Sequence, residues 1–366
     1  MSSGASSKKS ATSLHSPSNP RPDQSARGSS RWAWALGLAV TVALLAWVLH
    51  RVDARAVLAH VRHADPLWLG ATVVLATLTF PIRTTRWRLI LRDADGRPFP
   101  WVPLWHATAV GFMANNLLPA RVGELARAYV ATRQLPVRFT TALASVAVER
   151  VFDGLVLLGL MAAAIAAPSF PGPAELDGIS LSRLAAGTAA GFAAALAIAF
   201  AVAHRPPPWL RALHAAAHRV LPVRAAERVT RAGEGLVEGL TVLKNPARFS
   251  GVVAWSLVLW LVNALAFAAC FRAFALPVPA AGALLLQGVI AFGVAVPSSP
   301  SGLGVFEAAT VLTLAAYGVD ADRAVAYGLT YHVTTFVPIV LFGLSSQARV
   351  HVRLRDLRAP DTAAGG

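Results

Sequence analysis

Pro297-Ser298-Ser299-Pro300-Ser301-Gly302-Leu303-Gly304 cuts across an uncharged stretch, residues 273–306, that ends at Glu307. Two prolines and two glycines in eight residues do not fit a regular helix, because proline lacks the amide donor and glycine favours turn geometry. The flanks are nevertheless apolar enough for a membrane interior, where broken backbone is tolerated only against protein or a wet cavity. This segment therefore reads as a re-entrant hairpin. A second stretch has the same character: Pro98 to Ala120 is apolar and runs through Pro119 into Arg121-Val122-Gly123-Glu124.

Outward from these two breaks, the chain supplies uncharged runs at residues 32–49, 67–82, 184–203, 249–271 and, counting His332 as neutral, 324–348. About 20 helical residues cross a hydrocarbon core of about 30 Å. The run at 67–82 is short, and Arg83 and Arg86 are expected to snorkel from its end. A sixth segment, Thr140 to Ala167, is apolar apart from Glu149, Arg150 and Asp153. The reading is an all-α polytopic membrane protein with about six transmembrane helices and two re-entrant hairpins. Composition agrees: 366 residues are 55% hydrophobic and only 14% charged, against roughly 25% charged in soluble domains, which excludes a water-soluble protein. Several apolar runs exclude a single anchor, and no small-residue cleavage pattern follows residue 49, so the first helix is expected to stay uncleaved.

Residues 1–30 are Ser-rich and basic and read as a disordered tail. Residues 31–348 form the membrane domain, with a basic loop at 204–248 between its halves, and 349–366 form a short basic tail. The net charge of +15, from 33 Lys and Arg against 18 Asp and Glu, lies in loops, where orientation and anionic lipid explain it without nucleic acid. If both hairpins return to the side they enter, every strongly basic segment is cytoplasmic, as are both termini. A bacterial-type inner membrane is the expected location. Helix, hairpin, helix then occurs twice, at 67–167 and 249–348, as inverted repeats, and interrupted segments at matching positions point to a midplane transport site.

Glu149 lies near mid-membrane, and three central charges are costly enough that Glu149, Arg150 and Asp153 should face protein or water. They either lock helices together or line a polar path; Arg150 and Asp153 can pair at i,i+3. Asn115, Asn116, Arg121, Glu124 and Arg127 surround the first break, with Pro119 and Gly123 as helix breakers. A helix starting near Pro119 would offer free N–H groups to a phosphate, and Arg121 a fork of donors. Ser298, Ser299, Ser301 and Glu307 surround the second break, with Pro297, Pro300, Gly302 and Gly304 as breakers; serines and Glu307 also suit a capped helix start. Arg83, Arg86 and Arg88 read as positive-inside anchors, with lipid headgroup contact as the alternative, and His332 as a hydrogen-bonded packing residue, with a proton relay as the alternative. Cys270 is the single cysteine, so no intrachain disulfide forms. His214 and His218 lack a third ligand for zinc, and neither a metal nor a cofactor is expected. No Walker loop, GxGxxG, GxSxG or HExxH occurs, and the chain is expected to act without being an enzyme.

Asn115-x-x-x-Pro119-x-Arg121-x-Gly123-Glu124-x-x-Arg127, Glu149-Arg150-x-x-Asp153 and Pro300-x-Gly302-x-Gly304-x-x-Glu307, in that order, resemble the lysylphosphatidylglycerol synthase transmembrane, or flippase-like, family. The resemblance implies passage of a lipid headgroup between leaflets. About 18 residues follow the last helix, so an aminoacyltransferase domain is not expected and the synthase activity is not carried over. Expected partners are membrane lipids with an anionic or phosphate-bearing head. Two other readings stay open: a non-transporting scaffold for a separate lipid-modifying enzyme, which would dock on loop 204–248, and a small-solute transporter. No oligomeric state follows from the sequence.

Overall fold

The computed structural model describes residues 52–93, 95–118, 122–171, 175–176, 179–180, 206–239, 245–295 and 300–352, with four isolated positions besides. The expected first helix at 32–49 and the run at 184–203 lie outside these residues. The described chain is helical apart from one antiparallel two-residue ribbon, Glu175–Leu176 with Ile179–Ser180.

A short helix, α1 (Ala54–His63), leads into α2 (Pro66–Ile90). Then come α3 (Trp101–Leu117), α4 (Gly123–Gln134) and α5 (Phe139–Ala166). The amphipathic pair α6 (Pro206–Val220) and α7 (Val223–Gly239) follows within the basic loop, α7 lying along α5. The second half repeats the order: α8 (Pro246–Ala273), α9 (Ala280–Ala295), a 3₁₀ turn at Pro300–Gly302, α10 (Val305–Ala315) and α11 (Ala321–Val350).

Helices α2, α8 and α11 are long and apolar enough to cross a membrane. Each starts on a side chain that accepts an orphan amide: Asp65 from Leu67, Asn245 from Arg248 and Asp320 from Arg323. In α2 and α8 a proline follows in the first turn, where its missing N–H costs nothing. The structure extends the second sequence run from 67–82 to Pro66–Ile90, which carries Arg83 and Arg86 into the protein. Arg86 is 0% and Arg83 8% exposed, so they do not snorkel; their carboxylate partners lie on α5.

Both breaks separate two packed helices. In the first, α4 starts at Gly123 rather than near Pro119, and its leading N–H is taken by Asn115 Oδ1 at 2.8 Å. A Cβ on Gly123 would overlap the Gly111 carbonyl and the Asn115 side chain, so only glycine permits this approach. Pro119, Ala120 and Arg121 lie outside the described residues, as do Pro297, Ser298 and Ser299. In the second break Ser301, Gly302 and Gly304 all have positive φ, and the Gly304 N–H donates to Glu307 Oε2 at 2.6 Å. That hydrogen bond agrees with the capped-start reading of Glu307.

Each half has its own apolar core. Trp87, Leu104, Met113, Val130 and Val146 centre the first. Phe267, Cys270, Leu286, Leu314 and Tyr327 centre the second.

Candidate functional site

Between the two cores lies a buried ionic cluster. Helix α5 is the 28-residue helix whose apolar faces bury against neighbours, leaving Glu149 and Asp153 on one inward stripe at i,i+4. Helix α2 brings Arg83 and Arg86, and α4 brings Arg127. Glu149 is 0% exposed. It meets Arg86 Nη2 at 2.8 Å, Arg150 Nη2 at 3.2 Å and both terminal nitrogens of Arg127, at 3.0 and 3.1 Å. Arg127 thus hydrogen-bonds Glu149 through Nη1 and brings its second terminal nitrogen to ion-pair distance of the other carboxylate oxygen. Its guanidinium also stacks on Trp87, 3.9 Å from the ring centroid.

Asp153 is held from four directions. Arg86 Nη1 donates at 2.5 Å, Trp260 Nε1 from α8 at 2.9 Å, and Arg150 Nη2 lies at 3.0 Å. Arg83 Nη1 is farther off, at 3.9 Å, and makes no hydrogen bond. Arg86 also donates to Ser256 Oγ at 3.0 Å, so one side chain ties α2 to α5 and α8. The expected Arg150 to Asp153 pair is present. Arg86, read from sequence as a surface anchor, is instead the hub of the cluster. Arg88 is the one of the three nearer that reading, half-buried and donating to the Phe99 carbonyl at 2.8 Å.

Charge does not balance here. Arg83, Arg86, Arg127 and Arg150 face Glu149 and Asp153, and Glu124 adds a third acid 4.0 Å from Arg150 Nε. Among the described residues this leaves one positive charge over. A cavity of about 550 Å³ opens beside the cluster, and Arg83, Glu124, Arg150, Asp153, Asn263 and Gln287 are among the polar side chains that line it. Arg83 Nη1 and Arg150 Nε both lack a hydrogen-bond partner. Arg83 lies between the rings of Phe112 and Trp260, 4.9 and 5.4 Å from their centroids, which holds its planar head in place.

The lining from the second half also includes Ser301, Phe306, Tyr331 and Thr335. Ser301 Oγ lies 2.5 Å from His332 Nε2, and His332 Nδ1 lies 2.9 Å from Glu307 Oε1. His332 is thus hydrogen-bonded on both ring nitrogens, within a polar chain. Of the sequence-derived candidates, the structure brings Glu124, Arg127, Glu149, Arg150 and Asp153 into one network, and Ser301 and Glu307 into a second that reaches the same cavity through Ser301. Asn115 caps α4, and Asn116 is half-buried on the last turn of α3. Sequence reasoning missed Ser256 and Trp260, and gave Arg83 and Arg86 a surface role. No group of three or more metal-ligating side chains occurs among the described residues.

Residues 34–343 match the family described as the lysylphosphatidylglycerol synthase TM region. The chain belongs to that family. As a member of the lysylphosphatidylglycerol synthase TM family it is a membrane protein, and the resemblance drawn from the three ordered motifs holds. It is also similar to Glycosyltransferase AglD of Haloferax volcanii, with 28% identity over 87% of this chain. The match takes in 54% of that relative, so this chain spans about half of its length. The relative's name overturns the expectation that the chain is not an enzyme. That expectation rested on missing ATP-binding and hydrolase motifs, which say nothing about glycosyl transfer.

Proposed function

We propose that this chain moves the polar head of a phosphate-bearing lipid between leaflets through the cavity between its two halves. The observation that carries this is the one positive charge left over in the ionic cluster beside the cavity, with Arg83 Nη1 and Arg150 Nε, on cavity-lining side chains, lacking hydrogen-bond partners. A buried positive charge without a counter-ion is costly, and a phosphate supplies both the charge and the acceptors. Helices α2, α5, α8 and α11 frame the cavity, while the pairs α3–α4 and α9–α10 are the two re-entrant hairpins of an inverted repeat. Repeats of this kind rock about a shared site. On this reading both termini are cytoplasmic, which the basic loops support, and the membrane is a bacterial-type inner membrane.

In this scheme the lipid tails stay in the bilayer and the head crosses along Arg83, Arg150 and the Asn263–Gln287 amides. Arg86, Glu149, Arg127 and Asp153 hold the guanidinium groups in register. The test is transbilayer movement of tail-labelled phosphatidylglycerol in liposomes. Arg150→Gln at matched incorporation is expected to slow movement by about tenfold, one charge-assisted contact being worth about 1.5 kcal/mol. Unchanged movement sinks the assignment.

A second reading is favoured by the relative's name: participation in glycosyl transfer on a lipid acceptor. Appearance of a sugar-bearing lipid in membranes that contain this chain, supplied with nucleotide sugars and absent from Arg150→Gln membranes, would favour it.

A further inference from the structure

We infer that Glu307, His332 and Ser301 form a proton-loading site on the wall of the headgroup cavity, so that a proton and an anionic head are loaded together and travel in the same direction. This rests on the transport reading above. Three carboxylates are buried among the described residues: Glu149, Asp153 and Glu307. The first two are held by guanidinium groups, which do not release a proton in proteins. Glu307 alone of the three is paired with a histidine, a side chain that can both take and give a proton.

The geometry gives that pair a mouth onto the cavity. Glu307 is 1% exposed, and its Oε2 accepts from the Gly304 N–H. Its Oε1 faces His332 Nδ1, and the far side of the ring, Nε2, faces Ser301 Oγ, which lines the cavity. Phe306 packs its ring 4.9 Å from the imidazole and covers it with an apolar face. Ser301 is held at φ 63, a left-handed conformation that costs a non-glycine residue energy, within the turn that aims its hydroxyl at the ring.

The loading step balances as follows. A hydronium ion in the cavity gives a proton to the serine oxygen, and remains as water, as the serine O–H proton passes to His332 Nε2. If the ring was neutral, it becomes an imidazolium; passing its Nδ1 proton to Glu307 Oε1 leaves a neutral pair. Either state holds one proton more than before and releases it by the same mouth. The other ionisable groups facing the cavity are Tyr331 of α11, Arg83 of α2, Glu124 of α4, and Arg150 and Asp153 of α5. Arg83 and Arg150 are matched there by Glu124 and Asp153, so a gained proton shifts the lining one unit towards positive charge and strengthens the hold on a phosphate. By linkage, the phosphate strengthens the hold on the proton to the same degree.

The experiment uses phosphatidylcholine liposomes containing this chain and a trace of tail-labelled phosphatidylglycerol, with a pH gradient of about one unit. One proton per singly charged head is electroneutral, so such a gradient supports at most about a tenfold accumulation. The label is expected to gather in the leaflet on the alkaline side, and a protonophore to abolish the bias. His332→Asn is expected to keep the gradient-free movement and lose the bias; Glu307→Gln also loses the bias. Movement without bias in the unaltered chain, bias towards the acid side, or bias retained in His332→Asn each overturns the proton site while leaving transport standing. No movement under any condition removes the transport reading and the proton site with it. An alkyl fluorophosphonate adduct on Ser301 that is lost in His332→Asn would make the serine a nucleophile and also overturn the proposal.

Discussion

Arg86 reaches Glu149 and Asp153 at once, with no solvent exposure of its own, and it is the side chain on which the ionic cluster turns. Removing it strands two buried carboxylates, and breaking a buried pair of this kind costs about 3–5 kcal/mol. Arg86→Ala is expected to lower the midpoint of thermal unfolding in detergent by many degrees, or to prevent recovery of monodisperse protein. Arg86→Lys is expected to recover only part of that loss, because one ammonium does not present the fork that bridges two carboxylates and Ser256. Equal stability of the lysine and arginine forms would refute the bridging role. Glu149-Arg150-x-x-Asp153 was legible in the sequence because three charges inside an apolar helix need partners. Arg86 was not, since its partners are 63 and 67 residues away and the positive-inside rule offered a nearer explanation. One signal was available: a 16-residue apolar run is too short to cross, so its helix had to continue over Arg83 and Arg86.

Among the elements, the two broken pairs were readable from proline and glycine spacing, but their helix starts were not. Pro119 suggested a start that the structure moves to Gly123, where Asn115 fills the leading amide and the α3–α4 contact demands a residue without Cβ. Sequence shows that a glycine is present, and only the packing shows why. Gly123→Ala is expected to force α3 and α4 apart and destabilise the chain by about 1–3 kcal/mol. Gly70→Ala, where an added Cβ meets nothing within 4 Å, is expected to be neutral or to stabilise α2 by up to about 1 kcal/mol. Thermal unfolding of the two variants side by side decides the matter; equal midpoints would contradict the close-approach argument.

In the whole molecule, residues from both broken pairs meet in one cavity, with Glu124 from the first and Ser301 from the second. Cys270 is buried in the second core, so new cysteines can be placed without removing it. Gly154→Cys on α5, which also lines the cavity, and Ser301→Cys are expected to react with an impermeant thiol reagent from the same side, and phosphatidylglycerol to slow both. Reaction from opposite sides would mean two separate compartments. The ionic cluster also bears on how the chain enters the membrane during synthesis. A charge at mid-helix adds about 2.5–3.5 kcal/mol to insertion, so α5 with three of them is a poor span on its own. Its counter-charges Arg83 and Arg86 are made about 60 residues earlier, on α2. In a translocation reporter, α5 is expected to lodge in the bilayer when residues 66–90 precede it and to slip through when Arg86 there is replaced by leucine. Biogenesis of this protein is then a matter of retention: α2 has to wait at the translocon, beside the ribosome, until the helix that neutralises it arrives.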